Sequence, residues 1–208
     1  MTKDGVSPAS RIWGTAALAA ALWFVTFYLD FSNFWIKISV SSALLAVLAI
    51  FFQPSASRPA VRPGDVVIGI AAAAVLWGIF WLGKQVSISF FPFADTQIGA
   101  IYGKGEGFSR WGVFFLLLLV TGPAEEIYWR GFLQKNLMAR HGRLTGWALA
   151  TGIYAGVHIW SMNFMLIGAA AVAGAFWGLL YWHCRRLAPV IVSHALWSSF
   201  VFSVVPIP

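Results

Sequence analysis

The sequence predicts an all-α fold, a polytopic transmembrane helix bundle of about seven helices. Of its 208 residues, 60% are hydrophobic and only 10% are charged, and the mean hydropathy of +0.77 exceeds that of soluble domains. The apolar residues form runs close to the roughly 20 residues that a helix needs to cross a bilayer. We therefore expect a single integral membrane domain over residues 1–208, with the distinctive chemistry in helices within 111–205.

Three spans are predicted in the first half of the chain, at 13–29, 38–52 and 66–82. The first run is longer than the apolar region of a signal peptide, and we expect it to remain as a helix. A turn rich in Pro, Ser and Arg, at 53–64, follows the second run. In the longest polar stretch, 84–110, a re-entrant or interfacial eighth helix is the alternative to a loop.

Four further spans are predicted at 111–140, 144–160, 164–182 and 189–205. The fourth starts as an apolar run and continues as an amphipathic helix. Its polar end, 130–143, is expected to project a few turns beyond the bilayer. A turn at His141 and Gly142 makes the fourth and fifth spans an antiparallel hairpin.

The distribution of basic residues predicts that the N-terminus is cytoplasmic. In this orientation ten Lys and Arg residues lie in inner segments, and the four outer ones are Lys37, Lys84, Lys104 and Arg110. Because the basic residues are spread between apolar runs, membrane topology explains them better than a nucleic-acid partner does. The single cysteine, Cys184, excludes an internal disulfide bond.

Two adjacent carboxylates and an arginine follow the apolar start of the fourth span: Glu125, Glu126 and Arg130. On a helix, Glu126 and Arg130 face each other four residues apart, while Glu125 is rotated by about 100°. Ionisable groups in a hydrophobic span mark a proton, ion or catalytic site by default. The alternative is a solvated charge cluster in a loop just outside the membrane.

Two histidines also fall within predicted spans, His158 and His194. Glu125 and His158 are equally distant from the hairpin turn, so we expect them at one depth, in the cytoplasmic half of the bilayer. His194 can reach a similar level, and Ser198 lies one turn further along the same helix face. For either histidine alone, the alternative is a core residue bonded to a backbone carbonyl.

A carboxylate and two imidazoles in a water-poor cavity favour hydrolysis. Glu125 is the candidate general base for a water molecule, which His158 could share or orient. His194 and Ser198 are candidate donors to the oxyanion that forms on a scissile carbonyl. A proton-coupled transporter uses the same residue types, but the sequence has no inverted repeat to support that hypothesis.

With these residues the sequence resembles the CPBP (ABI) family of intramembrane glutamate proteases. That family includes the type II CAAX prenyl endopeptidases and bacterial proteins linked to bacteriocin processing and immunity. Its three ordered motifs are Glu-Glu-x-x-x-Arg, Phe-x-x-x-His and His-x-x-x-Asn or Asp. The first is complete here, the second has Tyr154 in place of Phe, and the third has Ser198 in place of the amide or carboxylate.

The resemblance implies that Glu125 and His158 activate water and that His194 and the residue at Ser198 form the oxyanion hole. Glu126, Arg130 and Tyr154 are then supporting residues. No cofactor is expected, and the alternative is a zinc ion held by Glu125, His158 and His194.

The implied substrate is a peptide or protein in the membrane. A lipidated CAAX-like tail, a bacteriocin leader and a C-terminal sorting signal are all compatible with the resemblance. The alternative function is a non-catalytic immunity or scaffold protein that retains the Glu and His cluster.

Overall fold

A computed structural model describes residues 6–53, 61–105 and 107–208, and these residues form helices without any strand. The eight α-helices in them are α1 Ala9–Phe27, α2 Phe34–Phe52, α3 Pro63–Phe90, α4 Ala94–Tyr102, α5 Arg110–His141, α6 Arg143–Val157, α7 Phe164–Cys184 and α8 Leu187–Ser203. The predicted all-α class is confirmed. The expected turn at 53–64 falls largely on residues 54–60, which lie outside the described residues.

Five helices, α1, α2, α3, α5 and α7, are long and apolar enough to cross a membrane. The helix α8 is a shorter apolar helix of 17 residues, and α6 has 15 residues. Large apolar side chains cover the outside of the bundle, for example Phe51, Val67 and Leu119, each more than 60% exposed. Such a surface suits lipid and not water, so the chain is an integral membrane protein.

The predicted polar loop at 84–110 is only partly a loop. Helix α3 continues to Phe90, well beyond the predicted end at 82, and α4 occupies part of the remainder. The polar side chains in this extension have partners, since Lys84 Nζ donates to the Ile207 carbonyl at 2.9 Å and Gln85 Nε2 to the Pro208 carbonyl at 3.2 Å. These bonds join the end of α3 to the C-terminus.

Helix α5 changes its winding on both sides of the two glutamates. Residues Leu117–Thr121 and Trp129–Gln134 are π-helical, and Gly122–Tyr128 between them is α-helical. Pro123 has no backbone N–H, and its ring crowds the carbonyl four residues earlier in a regular α-helix. A wider turn just before the proline relieves this conflict, and such π-helical turns are frequent at functional sites.

Much of the polar end of α5 is packed inside the bundle, and of the predicted projection at 130–143 only residues 139–143 are exposed. Asn136 Oδ1 accepts from the Ser7 backbone N–H at 2.7 Å, and its Nδ2 donates to Gln53 Oε1 at 2.9 Å. Gln134 Nε2 donates to the Gly178 carbonyl at 2.9 Å. Asn136 therefore marks the level at which α1 begins and α2 ends.

This level locates Glu125 along the bundle. Eleven residues of α5 separate Glu125 from Asn136, which corresponds to about 16 Å at the helical rise of 1.5 Å per residue. Helix α2, which starts its 19 residues at the opposite end, is about 28 Å long by the same measure. Glu125 thus lies close to the middle of the bundle and not in the half that contains the N-terminus.

Helices α5 and α6 pack closely because Gly146 of α6 faces the backbone of α5. A Cβ atom at Gly146 would lie 2.3 Å from the Met138 nitrogen and 2.5 Å from the Leu137 carbonyl carbon. Backbone atoms at these distances cannot move aside without shifting a whole helix. Gly152 lies one to two turns further along α6. A Cβ atom added at Gly152 would have no neighbouring atom within 4 Å.

We expect Gly146→Ala to destabilise the protein, because the added methyl group separates α5 from α6. The predicted loss is about 1–3 kcal/mol, typical of overpacking. Gly152→Ala is the matched control and should leave stability unchanged or slightly raised. Thermal unfolding in a mild detergent measures both, and equal midpoints for the two variants would contradict the close packing.

Candidate active site

One cavity of about 470 Å³ brings the predicted site residues together. Glu125, His158, His194 and Ser198 all line it, with Tyr154 beside them. They come from four different places in the bundle: α5, the turn after α6, and two positions on α8. The rest of the lining is mainly aliphatic and aromatic. The sequence prediction that these residues share one cavity therefore agrees with the structure.

Glu125 is buried, and the tyrosine of the second motif contacts its carboxylate. The Tyr154 hydroxyl donates a hydrogen bond to Glu125 Oε2 at 3.0 Å. From the sequence, Tyr154 was expected only to supply an aromatic ring in place of Phe, so its role as a donor was missed. The hydroxyl stabilises the ionised carboxylate and fixes its orientation.

Glu126 is fully buried and binds two cationic partners. Arg130 Nη1 donates to Glu126 Oε1 at 2.8 Å, which confirms the pair predicted from their spacing. His194 Nδ1 lies 2.6 Å from the same oxygen. Arg130 also donates through Nη2 to the Gly174 carbonyl at 3.2 Å. Glu126 and Arg130 together connect α5 with α7 and α8.

His194 has one nitrogen engaged and its ring fixed by stacking. A carboxylate oxygen only accepts, so Nδ1 carries a proton and donates it to Glu126. The ring stacks on Trp177, with ring centres 3.8 Å apart and an interplanar angle of 15°. Trp177 in turn donates from Nε1 to the Ser193 hydroxyl at 3.2 Å. The Nε2 edge of His194 is the one left for a ligand in the cavity.

His158 is held as one neutral tautomer. Its Nδ1 lies 2.7 Å from the Tyr154 carbonyl, which can only accept, so Nδ1 carries the proton. The indole N–H of Trp23 donates to Nε2 at 3.3 Å, which requires a lone pair there. Trp23 lies on α1, far from any motif, and nothing in the sequence pattern indicated it.

The hydroxyl of Ser198 is directed to its own helix. It donates to the His194 carbonyl at 2.8 Å, with the Ala195 carbonyl at 3.4 Å. The side chain lines the cavity, but its proton is not aimed into it. Serine commonly forms this bond inside a helix. In this arrangement the hydroxyl proton is not available to a ligand in the cavity, so the donor role that the resemblance implied would require the hydroxyl to rotate.

Comparison with known proteins places the site in a family. The family model described as Rce1-like, type II CAAX prenyl endopeptidase Rce1-like, matches residues 107–200. The chain is similar to this family over those residues, which are a little under half of its length. The match covers all three motifs and confirms the resemblance that they indicate. Searches of curated proteins and of solved structures gave no match.

The zinc alternative draws on Glu125, His158 and His194. Within 6–53, 61–105 and 107–208, no group of three His, Cys, Asp or Glu residues is placed to hold a metal ion. Both ring nitrogens of His158 have partners, whereas His194 is bonded to Glu126 through Nδ1 alone. A metal ion at His158 would have to replace the Trp23 bond, while the bond from His194 to Glu126 is of the kind that orients a metal-binding histidine.

We expect Glu126→Gln to lower stability strongly while Glu125→Gln does not. The first change leaves Arg130 buried without its carboxylate, which costs about 3–5 kcal/mol for a buried pair. The second keeps an acceptor oxygen for the Tyr154 hydroxyl and is the matched control. Denaturant unfolding in detergent measures both, and similar losses in the two variants would refute the distinction between these neighbouring carboxylates.

Removing the Trp23 indole N–H should expose Nε2 of His158 to reagents. In Trp23→Phe, we expect faster modification of His158 by diethylpyrocarbonate, measured by mass spectrometry of the digested protein. Trp13→Phe, an exposed tryptophan of the same helix, is the control. If His158 reacts at the same rate in wild type and Trp23→Phe, the Trp23 bond does not protect it.

Proposed function

We propose that the protein is an intramembrane endopeptidase in which Glu125 activates water to hydrolyse a peptide bond of a membrane-associated substrate. The observation that carries this proposal is a single cavity, near the middle of an apolar bundle, that holds Glu125 between two histidines. The Rce1-like family match supports a protease. Glu125 is the one carboxylate in the cavity lining among the described residues.

The reaction begins when the Glu125 carboxylate removes a proton from a water molecule. The resulting hydroxide attacks the carbonyl carbon of the substrate, whose π electrons move onto oxygen to give a tetrahedral oxyanion. As the oxyanion collapses, the C–N bond breaks and Glu125 returns the proton to the leaving nitrogen. One water molecule is consumed, and a carboxyl group and an amine are formed.

His194 is placed to stabilise the oxyanion. Its Nδ1–H donates to Glu126, and in the protonated ring Nε2–H donates to the substrate oxygen. Stacking on Trp177 keeps the ring from rotating as charge develops. Ser198 joins this task only when its hydroxyl leaves the His194 carbonyl.

His158 can orient a water molecule only through Nε2, because its Nδ1 is bonded to the Tyr154 carbonyl. Its bond to the Tyr154 carbonyl, at 2.7 Å, holds the ring, and the longer bond from Trp23, at 3.3 Å, is the one that a water molecule can replace. Nε2 then accepts a hydrogen bond from the water that Glu125 activates. Tyr154 connects the two residues through its hydroxyl and its carbonyl.

The cavity reaches the outer end of the bundle when the N-terminus is cytoplasmic. Its lining includes the last residue of α1, Phe27, the first residue of α2, Phe34, and the first residue of α7, Phe164. All three lie at the end of the bundle opposite the N-terminus. We infer an inner-membrane protein of a bacterial cell that acts on lipidated tails, leader peptides or C-terminal sorting signals reached from the outer side.

A non-catalytic immunity or scaffold protein is the second candidate function. It is favoured by the hydrogen bonds of Ser198 and His158, whose polar atoms are already paired within the protein. In that case the Glu and His cluster acts as a buried polar network that holds the helices together. Loss of stability, and not loss of cleavage, would then follow its mutation.

We expect Glu125→Gln to abolish proteolysis while the protein still inserts and folds. Loss of a general base typically lowers a rate by about 10²–10⁴-fold. Comparison of the membrane peptides in cells producing wild type or Glu125→Gln, by mass spectrometry, identifies products made only by the wild type. Asp30→Asn, at an exposed acid, is the control. Identical peptides from wild type and Glu125→Gln would exclude the glutamate mechanism.

Tyr154→Phe tests the hydroxyl separately from the ring. The variant restores the phenylalanine usual in the second motif and removes only the bond to Glu125 Oε2. We expect a roughly tenfold lower rate, the value of one charge-assisted hydrogen bond. The measurement is the time course of a product found in the previous comparison, and an unchanged rate would show that the hydroxyl is dispensable.

A further inference from the structure

The segment that follows α8, residues 204–208, forms part of the active-site cavity wall. The Ile207 side chain is buried, lines the cavity and belongs to the apolar cluster that includes Trp197 and Val201 of α8. The other four residues of the segment are exposed. One buried side chain therefore anchors the whole segment against the bundle.

Side chains from two other helices hold the backbone of this anchor residue. The Ile207 N–H donates to the Tyr102 hydroxyl at 3.2 Å, and its carbonyl accepts from Lys84 Nζ at 2.9 Å. The next carbonyl, that of Pro208, accepts from Gln85 Nε2 at 3.2 Å. Tyr102 ends α4, and Lys84 and Gln85 lie on α3. The segment therefore extends from α8 across to α3 and α4, at the outer end of the bundle.

The cavity has to widen before a peptide can reach Glu125. Its volume of about 470 Å³ suits a drug-sized ligand, whereas a peptide chain that continues beyond the site is larger. Most of the lining residues belong to α-helices, whose backbone hydrogen bonds oppose displacement. Residues 205–208 are not helical. The segment that carries Ile207 is therefore the part of the wall that can move while the helices stay in place.

The attachment of this segment favours release. Pro206 and Pro208 have no backbone N–H, so the segment depends on side chains of α3 and α4 for its hydrogen bonds. Water replaces such bonds at a small net cost. Burial of Ile207 is then the main interaction that release would lose, and segments with few buried contacts open without unfolding of the rest of a protein.

We propose that residues 204–208 are a detachable strap, which restricts access to the active site while Ile207 is in place and admits a peptide once Ile207 is released. The identity of what enters rests on the proposed function. The strap itself is a property of the fold. Ile207 and its partners Tyr102 and Lys84 all lie outside the residues 107–200 that match the family.

Access of a small reagent to His194 tests the strap without any cleavage. Diethylpyrocarbonate modifies imidazole nitrogens, and Nε2 of His194 is the nitrogen left for the cavity. The full chain is treated with the reagent in a non-ionic detergent, and mass spectrometry of the digested protein gives the rate of modification. His183, exposed near the end of α7, is the internal reference.

We expect Ile207→Ala to raise the rate of modification at His194 by about tenfold, because loss of the buried side chain favours release of the strap. Val205→Ala, at an exposed position of the same strap, is the matched control and should leave the rate unchanged. The rate at His183 should be the same in all three proteins. Equal rates at His194 in wild type and Ile207→Ala overturn the proposal.

A covalent bridge distinguishes release of the strap from simple enlargement of the cavity. Gln85→Cys and Pro208→Cys, at exposed neighbouring positions, are combined with Cys184→Ser and joined by a short bis-maleimide. The control is the same protein with both thiols blocked by N-ethylmaleimide. The bridge should slow modification of His194 by about tenfold and cancel the gain from Ile207→Ala. Equal rates in bridged and blocked proteins, or a gain that survives the bridge, overturn the proposal.

The bridged protein also distinguishes the strap from the proposed function. If the bridge protects His194 but wild type releases no products that depend on Glu125, the strap stands as a control of cavity access and the glutamate mechanism is lost. If such products form equally fast in bridged and blocked proteins, the mechanism stands and the strap is lost.

Discussion

The buried carboxylate of Glu126 is the group on which the arrangement of the site depends. A fully buried negative charge is very costly unless it is paired and hydrogen-bonded. Its two partners, Arg130 and His194, both bind Oε1 and bring α8 against α5, while Oε2 has no hydrogen-bond partner among the described residues. Gly122 permits this approach, because a Cβ atom there would lie 2.8 Å from the Ala195 Cα atom. The position of His194 in the cavity is thus a consequence of neutralising Glu126.

The same pairing explains why adjacent carboxylates can have different roles. Arg130 and His194 both contact Glu126, so Glu125 retains only the neutral hydroxyl of Tyr154 as a partner in its immediate surroundings. Glu126 is thus held in an ion pair with Arg130, and Glu125 lines the cavity. The rotation of about 100° between neighbours on a helix directs one group into the protein and the other into the cavity.

Local spacing predicted most of the site, and contacts between distant segments account for what it missed. The pair Glu126 and Arg130 follows from four-residue spacing, and the equal depth of Glu125 and His158 follows from the hairpin. Trp23 could not be found in this way, because it reaches the site through packing of a helix remote in sequence. The buried position of Asn136 was missed for the same reason, since its partners Ser7 and Gln53 come from other helices.

Hydrolysis inside a bilayer needs water and substrate at the site without a continuous path across the membrane. The end of the bundle near the N-terminus is filled by polar side chains that bond one another, with Asn136 joined to Gln53 and Arg140 to the Ser7 carbonyl. The cavity extends from Glu125 toward the opposite end, where most of its lining is aliphatic and aromatic. The polar side chains near the start of α1 thus fill one end of the bundle by satisfying each other, and the cavity lies toward the other end.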